Sequence, residues 1–494
     1  MKIIHKWQQE ALPALLGEPL ADGSVRCHLS PRNCVIKEGG AGFCKVRVNR
    51  GGQLMTLNYG KAVHHTEETI ETEACFHYAP GERILSMGNI GCMLNCGYCH
   101  NWQTSQARFV QDKHVHYYTP EQVVQIALDH NIRVLSWTYN DPVVWLEFIL
   151  ETAKLAKEAG IINLYKSAFF ITPKAVELLL PYMDIFSISV KSIDPEYYKK
   201  ITTGWVEPVL EATKQVLNAG KHVEVSTLMV TGISDNEETA QKIANWVLTE
   251  LNENVPLHFV RFHPDYKMKD SIRTPIPNLI RAREVALKSG VKHVYLGNVN
   301  GLDAVNTYCK NCNTPLVTRY GLNAQILGLN NEGKCKSCGY DMNFKLFSTP
   351  TLFDLVDAIP AVHQQNTQAK IYEWHGDIAS IHVQVKNNTS GNIAVYHRRV
   401  LISGEKLQWQ RVTLKVGESY RYIIAKSRED ERGAEVLIPE GVDSNLHELF
   451  DRAFFPVVSI EDVGITKNDI TPEQVYPGRQ IMYDVLKSEL KMDS

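Results

Sequence analysis

The sequence predicts an α/β fold with a parallel sheet over residues 84–300. Two observations support this prediction: apolar, β-type runs recur along this stretch, and helical patterns separate them. The β-type runs lie at 133–139, 163–170, 185–190, 222–230, 257–262 and 293–296, and the helical patterns at 120–129, 143–159, 206–219, 236–251 and 278–289. Alternating βα units imply parallel strands with right-handed crossovers. Ligands of such sheets bind at the carboxyl ends of the strands, so residues there are candidate site residues.

Composition limits the class of protein. A chain of 494 residues is too long for one ordinary core and indicates two or three domains. The net charge of −3 gives no basic field for nucleic acid, and we see neither an apolar run long enough to cross a membrane nor a signal-peptide core. The eleven cysteines stand mostly in short-spaced groups, which is typical of metal binding rather than disulfide bonding. We therefore expect a reducing, cytoplasmic location.

One loop carries the strongest chemical signal. After the apolar run 84–87 and a turn-like segment, Cys92, Cys96 and Cys99 follow at C-x3-C-x2-C spacing. Three soft thiolates in one loop suit an iron–sulfur cluster. A [4Fe–4S] cube has four irons, so three protein ligands leave one iron open to a substrate or cofactor. A zinc knuckle and a group of surface thiols are the alternatives for this spacing.

With Tyr98 just before the third cysteine, this loop resembles that of the radical S-adenosylmethionine (SAM) superfamily. The resemblance implies a partial (β/α)6 barrel and a [4Fe–4S] cluster on three catalytic cysteines, with SAM bound at the open iron. It further implies that an electron from the cluster cleaves a SAM carbon–sulfur bond and releases a 5′-deoxyadenosyl radical. A low-potential electron donor, flavodoxin or ferredoxin, is the partner it implies.

The resemblance extends to residues at other strand ends. The turn Thr138-Tyr139-Asn140-Asp141-Pro142 is similar to a T-Y-N-E-P turn of one branch, at the place where many members bind the SAM amino group. A carboxylate there can accept charge-assisted hydrogen bonds from an ammonium group, and an ordinary turn before a helix is the alternative. The cofactor-binding candidates are Tyr98, Asn140, Asp141, Ser167, Ser189, Lys191, Arg261 and His263.

Two of these segments depart from the branch. Ser167-Ala168-Phe169 stands where relatives carry T-N-G, and Ser189-Val190-Lys191 stands where they carry D-L-K. These changes indicate either a pocket reshaped for another substrate or another SAM pose, or neutral drift. Arg261 and His263 are candidates for holding a SAM or substrate carboxylate, with a structural ion pair as the alternative.

The amino-terminal segment holds Cys27, Cys34 and Cys44, followed by two alternating runs around Arg50-Gly51-Gly52 that predict a hairpin. It resembles the amino-terminal part of the AmmeMemoRadiSam branch, whose members are related to pyruvate formate-lyase activase and usually show C-x2-C-P-x2-C. Ser30 occupies the second cysteine position here. A metal site completed by His28 or Cys75 and a vestigial module held by packing both stay open.

Cys75 precedes the strand that leads to the cluster loop. A lone cysteine is usually a small buried hydrophobe, and a thiol that handles substrate, electrons or a soft metal is the other interpretation.

Two C-x2-C pairs, Cys309 with Cys312 and Cys335 with Cys338, predict a zinc ribbon or a rubredoxin-like module. Four thiolates leave no open position on the metal, so we expect structural zinc, with a redox iron as the alternative. Beyond it, alternating runs broken by turns predict a β-rich domain, a small sandwich or barrel. The predicted domains are an amino-terminal cysteine-containing module at 1–80, the barrel at 81–303, the ribbon at 304–348 and the β-rich domain at 349–494.

We therefore expect a radical SAM enzyme acting on a small molecule, with no nucleic-acid or membrane partner and an open oligomeric state. Three alternatives remain: an activase of a glycyl-radical enzyme, transfer of the 3-amino-3-carboxypropyl group of SAM to a soft acceptor such as Cys75, and a non-catalytic iron–sulfur or zinc scaffold.

Overall fold

A computed structural model of the chain describes residues 5–299, 302–347, 354–361, 369–374, 380–426 and 430–449. These residues form two compact units. The first comprises the described residues up to Glu67 together with Arg83–Asn298, and the second comprises Glu68–Glu82 and the described residues between 299 and 449. The four-part division predicted from the sequence stays a prediction.

Short strands make up the amino-terminal part of the first unit. They are β1 (Leu12–Pro13), β2 (Gly17–Pro19), β3 (Val25–Cys27), β4 (Val35–Ile36), β5 (Arg47–Arg50) and β6 (Gln53–Thr56). They form two small sheets in the orders β1-β6-β5 and β2-β3-β4. Strands β5 and β6 pair antiparallel around Gly51 and Gly52, both at positive φ, which confirms the predicted hairpin.

A nine-stranded sheet follows, in the order β15-β14-β13-β12-β11-β10-β8-β7-β9. Its strands are β7 (Lys61–Thr69), β8 (Arg83–Asn89), β9 (His116–Tyr117), β10 (Val134–Thr138), β11 (Ile162–Ser167), β12 (Ile185–Ser189), β13 (His222–Met229), β14 (Leu257–Arg261) and β15 (Val294–Gly297). From β8 through β15 without β9, sequential strands are parallel neighbours. This run of parallel strands confirms the predicted α/β class.

Helices connect these strands. They are α1 (Trp102–Ser105), α2 (Pro120–Asp129), α3 (Leu146–Glu158), α4 (Pro173–Leu179), α5 (Pro195–Tyr197), α6 (Glu207–Asn218), α7 (Glu237–Trp246) and α8 (Ile276–Ser289). Helix α2 has the predicted bounds because Thr119 caps it reciprocally with Gln122 and Pro120 occupies its first turn. Asn236 caps α7 by accepting a hydrogen bond from the Thr239 amide.

The parallel sheet has two unlike faces. Trp137 of β10 packs edge-on against Phe148 of α3, so this side chain lies on the helix-covered face. The alternate residues point to the opposite face, where Lys166 of β11 reaches Ser226 of β13 across the intervening strand. The face away from the helices is therefore the concave interior, and buried polar side chains line it.

The second unit is almost entirely β-structure. A ribbon consists of β16 (Thr307–Tyr308), β17 (Pro315–Tyr320) and β18 (Asn323–Ile326). The strands beyond it are β19 (Asp354–Val356), β20 (Lys370–Glu373), β21 (Ser380–Asn387), β22 (Ile393–Leu401), β23 (Trp409–Leu414), β24 (Ser419–Ala425), β25 (Glu431–Leu437) and β26 (Val442–Leu449).

These later strands form one sheet in the order β19-β23-β22-β25-β20 and another in the order β24-β21-β26. A single apolar cluster draws Val383 and Ile424 from one sheet and Val395, Val412 and Val436 from the other. The predicted β-rich domain is thus a sandwich over the described residues, and the stretch 450–494 of that prediction lies outside them. Among the described residues, no helix is both long and apolar enough to cross a membrane.

Candidate active site

The cluster loop, which we define as Cys92–Cys99, follows the carboxyl end of β8. Backbone hydrogen bonds fix it on two sides: the Gly97 amide donates to Ile201 O at 2.9 Å and the Lys267 amide donates to Gly97 O at 2.9 Å. Gly91, just before the loop, has φ +91°, and a Cβ there would lie 2.9 Å from the Cys44 carbonyl oxygen. Only glycine fits that approach, so packing against the Cys44 carbonyl helps to set the path of the chain into the loop.

The three loop thiols share one buried environment. Burial raises the pKa of Cys96 to about 12 and raises the pKa of Cys92 and Cys99 as well. The charges of Cys96 and Cys99 add to the rise in the pKa of Cys92. The Lys191 ammonium acts in the opposite direction on Cys96 and Cys99 by favouring their thiolates. Three convergent soft donors beside a cation fit a [4Fe–4S] cluster, because binding replaces the thiol protons with iron.

Asp141 lies buried beside these thiols, at the end of β10. Its Oδ1 accepts a 2.7 Å hydrogen bond from the Ser167 hydroxyl, and its Oδ2 accepts a 2.9 Å bond from the Ala168 amide. Burial raises the pKa of Asp141, while these bonds and the Lys191 charge oppose that shift. The structure thus brings Asp141, Ser167, Lys191 and the loop thiols together. Asp141 Oδ1 also accepts a 3.3 Å bond from the Val143 amide, so a lone pair of Oδ2 is what remains for an ammonium group.

Asn140 has a different role from its neighbour. Its amide nitrogen donates to the Asn89 carbonyl, and its Oδ1 accepts a 3.2 Å hydrogen bond from the Thr104 hydroxyl. The Thr104 carbonyl in turn accepts a 3.1 Å bond from the Gly91 amide. Asn140 therefore ties the strand-end turn to the approach of the cluster loop.

The concave interior holds residues that the sequence analysis did not select. The Lys166 ammonium donates 3.1 Å hydrogen bonds to the hydroxyls of Ser187 and Ser226, and Ser226 is also 3.1 Å from the Ser189 hydroxyl. Of these, only Ser189 was a candidate. The missed signal was polar residues at every second position of otherwise apolar strands.

Deeper in the same strands lies a carboxylate between two imidazoles. Glu224 is fully buried, and its two oxygens are 2.9 Å from His222 Nε2 and 2.8 Å from His258 Nε2. These histidines hold the pKa of Glu224 well below its usual range even though burial alone would raise it. The interior of the sheet thus carries a buried carboxylate with two hydrogen-bonded imidazoles rather than an apolar core.

Arg261 and His263 differ in placement. The Arg261 Nε donates to the Thr274 carbonyl at 2.8 Å, and alternation puts this side chain on the face opposite His258. His263 accepts a 2.7 Å hydrogen bond from Arg273 Nε, and its carbonyl is 2.9 Å from the His100 ring just after the cluster loop. The structure therefore brings His263, but not the Arg261 side chain, towards the loop, and the proposed carboxylate contacts of both residues stay predictions.

Tyr98 is buried within the loop, 6.5 Å from the ring of Phe262. This edge-on contact joins the loop to the segment that follows β14. The structure therefore assigns Tyr98 a packing contact, and its predicted cofactor contact stays a prediction.

The ribbon cysteines form a compact group. Sulfur atoms of Cys309, Cys312, Cys335 and Cys338 all lie within 4.8 Å of one another. The Cys309–Cys338 and Cys312–Cys335 sulfur distances are 3.5 and 3.6 Å. Such spacing fits four ligands around one tetrahedral ion, and a four-thiolate set suits zinc or iron.

The four remaining candidate cysteines do not all lie in one part of the molecule. Cys27, Cys34 and Cys44 line one small cavity in the first unit. His28 is turned away, since its ring nitrogens are 2.7 Å from Glu18 Oε2 and 3.1 Å from Asn33 Oδ1. Cys75 is fully buried and belongs to the second unit.

Comparison with known proteins identifies a family and several relatives of this chain. Residues 89–247 match the family described as Radical SAM superfamily. The uncharacterized protein MJ0808 of Methanocaldococcus jannaschii is 40% identical over 336 residues, which are 67% of this chain and 99% of that protein. The pyruvate formate-lyase-activating enzyme of Clostridium pasteurianum is 25% identical over 199 residues, or 36% of this chain and 80% of that enzyme.

A solved domain of pyruvate-formate lyase-activating enzyme from Bacteroides vulgatus is also similar, at 13% identity and a TM-score of 0.30, over 33% of this chain and 97% of that domain. The chain belongs to the radical SAM superfamily. It is an enzyme of SAM-derived radical chemistry that uses a [4Fe–4S] cluster, and its relatives include activating enzymes.

Proposed function

We propose that this enzyme cleaves SAM reductively to the 5′-deoxyadenosyl radical and uses it to take a hydrogen atom from a small, polar molecule bound inside the barrel. The observation that carries the proposal is the polar interior beside the cluster loop, where Lys166, Ser187 and Ser226 form one hydrogen-bonded group. Buried polar groups are stable only when satisfied, and they favour a polar ligand over an apolar one.

Different residues of the chain would bind the cluster, bind SAM and position the substrate. Cys92, Cys96 and Cys99 would hold the cluster, which supplies the electron for carbon–sulfur cleavage. Asp141, kept in place by Ser167 and the Ala168 amide, would accept hydrogen bonds from the methionyl ammonium of SAM. The enclosed interior would exclude water and position the substrate hydrogen, because an unpositioned radical reacts with whatever it meets.

The remaining components are part of the same proposal. A flavodoxin or ferredoxin would deliver the electron in a reducing cytoplasm. Zinc at Cys309, Cys312, Cys335 and Cys338 would be structural, because four thiolates close its coordination sphere.

The test is anaerobic reconstitution with iron and sulfide, followed by incubation with SAM and a strong reductant and mass spectrometry of the adenosyl products. Wild type should form 5′-deoxyadenosine, whereas Cys96→Ala should form none. Arg108→Ala is the control, since Arg108 is exposed and is not among the proposed cluster or SAM ligands. Intact SAM in the presence of a wild-type cluster would overturn the proposal, and 5′-methylthioadenosine as the main product would favour transfer of the 3-amino-3-carboxypropyl group.

An activase is the second candidate, and the similarity to pyruvate formate-lyase-activating enzymes favours it. An activase acts on a protein backbone and would not need the interior lysine, so Lys166→Met separates the two candidates. Under our proposal this variant retains uncoupled SAM cleavage but no longer transfers deuterium from a labelled small-molecule pool into 5′-deoxyadenosine. Unchanged transfer in Lys166→Met would contradict an interior site for a small substrate.

A further inference from the structure

Arg32, in the amino-terminal part of the first unit, contacts the start of the cluster loop. Its Nε donates a 2.6 Å hydrogen bond to the Met93 carbonyl, and its Nη2 donates a 2.5 Å bond to the Thr203 carbonyl. The carbonyls of the two residues before Thr203 accept hydrogen bonds from amides of the loop. The arginine therefore bridges the loop and a segment to which the loop is already bonded.

A single peptide group connects Arg32 to a cysteine of the loop. The Met93 carbonyl, which accepts the Arg32 bond, and the Leu94 amide belong to the same peptide unit, and this amide donates a 3.4 Å hydrogen bond to Cys92 Sγ. Hydrogen bonds in series polarise one another, because a donor to the carbonyl draws electron density from the amide N–H. The guanidinium therefore makes the Leu94 amide a stronger donor to the sulfur.

The Arg32 guanidinium carries a charge that no carboxylate of the described residues pairs with. Its other contacts are the Thr203 hydroxyl at 3.3 Å and three aromatic rings, the nearest being that of Phe43 with its centroid 3.6 Å away. Aromatic rings hold a cation without neutralising it. Burial lowers the pKa of Arg32, and negative charge on nearby thiols, Cys34 first and Cys92 next, opposes this shift.

The sign of the effect on a cluster follows from its charge. Three thiolate ligands give a [4Fe–4S] cluster a net negative charge, and reduction adds one more. Hydrogen bonds to the sulfurs and a nearby cation both stabilise the more negative state, and so they raise the reduction potential. Arg32 supplies the cation and strengthens the hydrogen bond to Cys92.

We propose that Arg32 is a positioning residue that raises the reduction potential of the [4Fe–4S] cluster, by polarising the Met93–Leu94 peptide bonded to Cys92 and by placing its charge beside the loop. The amino-terminal part of the chain would then set how readily an electron donor reduces the cluster. This inference rests on the cluster ligands proposed above, and it assigns a redox role to a residue that supplies no ligand.

The test is a redox titration of the full-length, anaerobically reconstituted enzyme, in which electron paramagnetic resonance measures the reduced cluster at set solution potentials. Arg32→Gln removes the charge. At the midpoint potential of wild type, we expect its ratio of reduced to oxidised cluster to be about tenfold lower, which corresponds to about 59 mV for a one-electron couple. Iron and sulfide contents should equal those of wild type. An unchanged potential at equal cluster content would overturn the proposal.

Arg50→Gln is the matched control. Arg50 belongs to the same part of the first unit and also donates to two backbone carbonyls, those of Gln8 and Gln9, at 2.8 Å each. Neither carbonyl lies on the cluster loop, so the potential of this variant should equal that of wild type. A shift as large as that of Arg32→Gln would overturn the proposal, because loss of any arginine in this part of the chain would then have the same effect.

Arg32→Lys guards against a cluster loop that no longer folds in Arg32→Gln. Lysine keeps the charge but not the planar fork, so we expect the cluster to form in full and the ratio to fall by less than about threefold. A fall of about tenfold or more in Arg32→Lys would overturn the proposal, whether or not Arg32→Gln retains its cluster. Absence of a cluster from wild type would be a different failure, since it would overturn the proposed cluster ligands and this inference with them.

Discussion

The interior of the parallel sheet and the core of the sandwich are both buried β-structure, yet polar side chains line the first, whereas aliphatic side chains predominate in the second beside a few buried polar ones such as His397. The sheet interior holds a hydrogen-bonded group of Lys166, Ser187 and Ser226. A separate group there joins Glu224 to His222 and His258. The sandwich core holds Ile381, Val383 and similar aliphatic residues. Polar burial does not add to stability as apolar burial does, so the polar interior is the part of the chain where our proposal places the substrate. The aliphatic core needs no explanation beyond folding.

Among the substitutions that test this comparison of the sheet interior with the sandwich core, we expect the largest effect at Glu224. Glu224→Leu would leave His222 and His258 without their carboxylate, and a buried hydrogen-bonding group left without its partner destabilises by about 1–3 kcal/mol each. Urea unfolding followed by tryptophan fluorescence measures this loss. Glu224→Gln retains an acceptor oxygen and should lose less; equal stability of Glu224→Leu and wild type would show that the pair is dispensable.

In the sandwich, Ile381→Ala should lower the free energy of unfolding by about 3 kcal/mol, because Ile381 is fully buried and the change leaves a cavity. Ile402→Ala is the control, since Ile402 is 68% exposed and should change stability by less than about 0.5 kcal/mol. The SAM affinity of the folded Ile381→Ala enzyme should equal that of wild type. A changed SAM affinity would contradict the view that the sandwich core contributes to stability alone.

At the active site we expect a substitution to change SAM affinity, unlike a substitution in the sandwich core, which changes stability. Asp141→Asn should weaken SAM binding about tenfold to a hundredfold, because the neutral amide loses its attraction for an ammonium and presents N–H groups to existing donors. Equilibrium dialysis with labelled SAM under anaerobic conditions gives this ratio. Ser167→Ala removes only one bond to the carboxylate and should weaken binding less; if it is the more damaging change, Asp141 does not contact SAM.

The smallest effect depends on pH. Burial in the sandwich, together with Arg399, lowers the pKa of His397 to about 3. The unfolded chain binds this proton near pH 6.5 and the folded chain does not, so stability is present above about pH 6.5 and falls by about 1.4 kcal/mol per pH unit below it. Thermal unfolding between pH 7 and pH 5 should show this loss in wild type and not in His397→Phe. Parallel pH profiles for the two proteins would contradict the assignment.

Cysteine spacing in the sequence was sufficient to predict the candidate ligands of the cluster loop and the ribbon, because residues separated by two or three others lie close in space whatever the fold. It was not sufficient for Lys166 and Ser226, which stand 60 residues apart and meet only because β11 and β13 flank β12 in a curved sheet. The contacts of Arg32 are still harder to predict from the sequence. Its partners lie 61 and 171 residues away, and no short motif announces such contacts.

The contact of the Cys44 carbonyl with Gly91, and the bonds from Arg32 to Met93 and Thr203, also bear on how the protein should be prepared. A shortened chain that starts after residue 60 would retain every cluster ligand but would uncover one side of the loop. Air would then reach the iron more readily, and the brown colour of the preparation should fade sooner than that of the full-length enzyme.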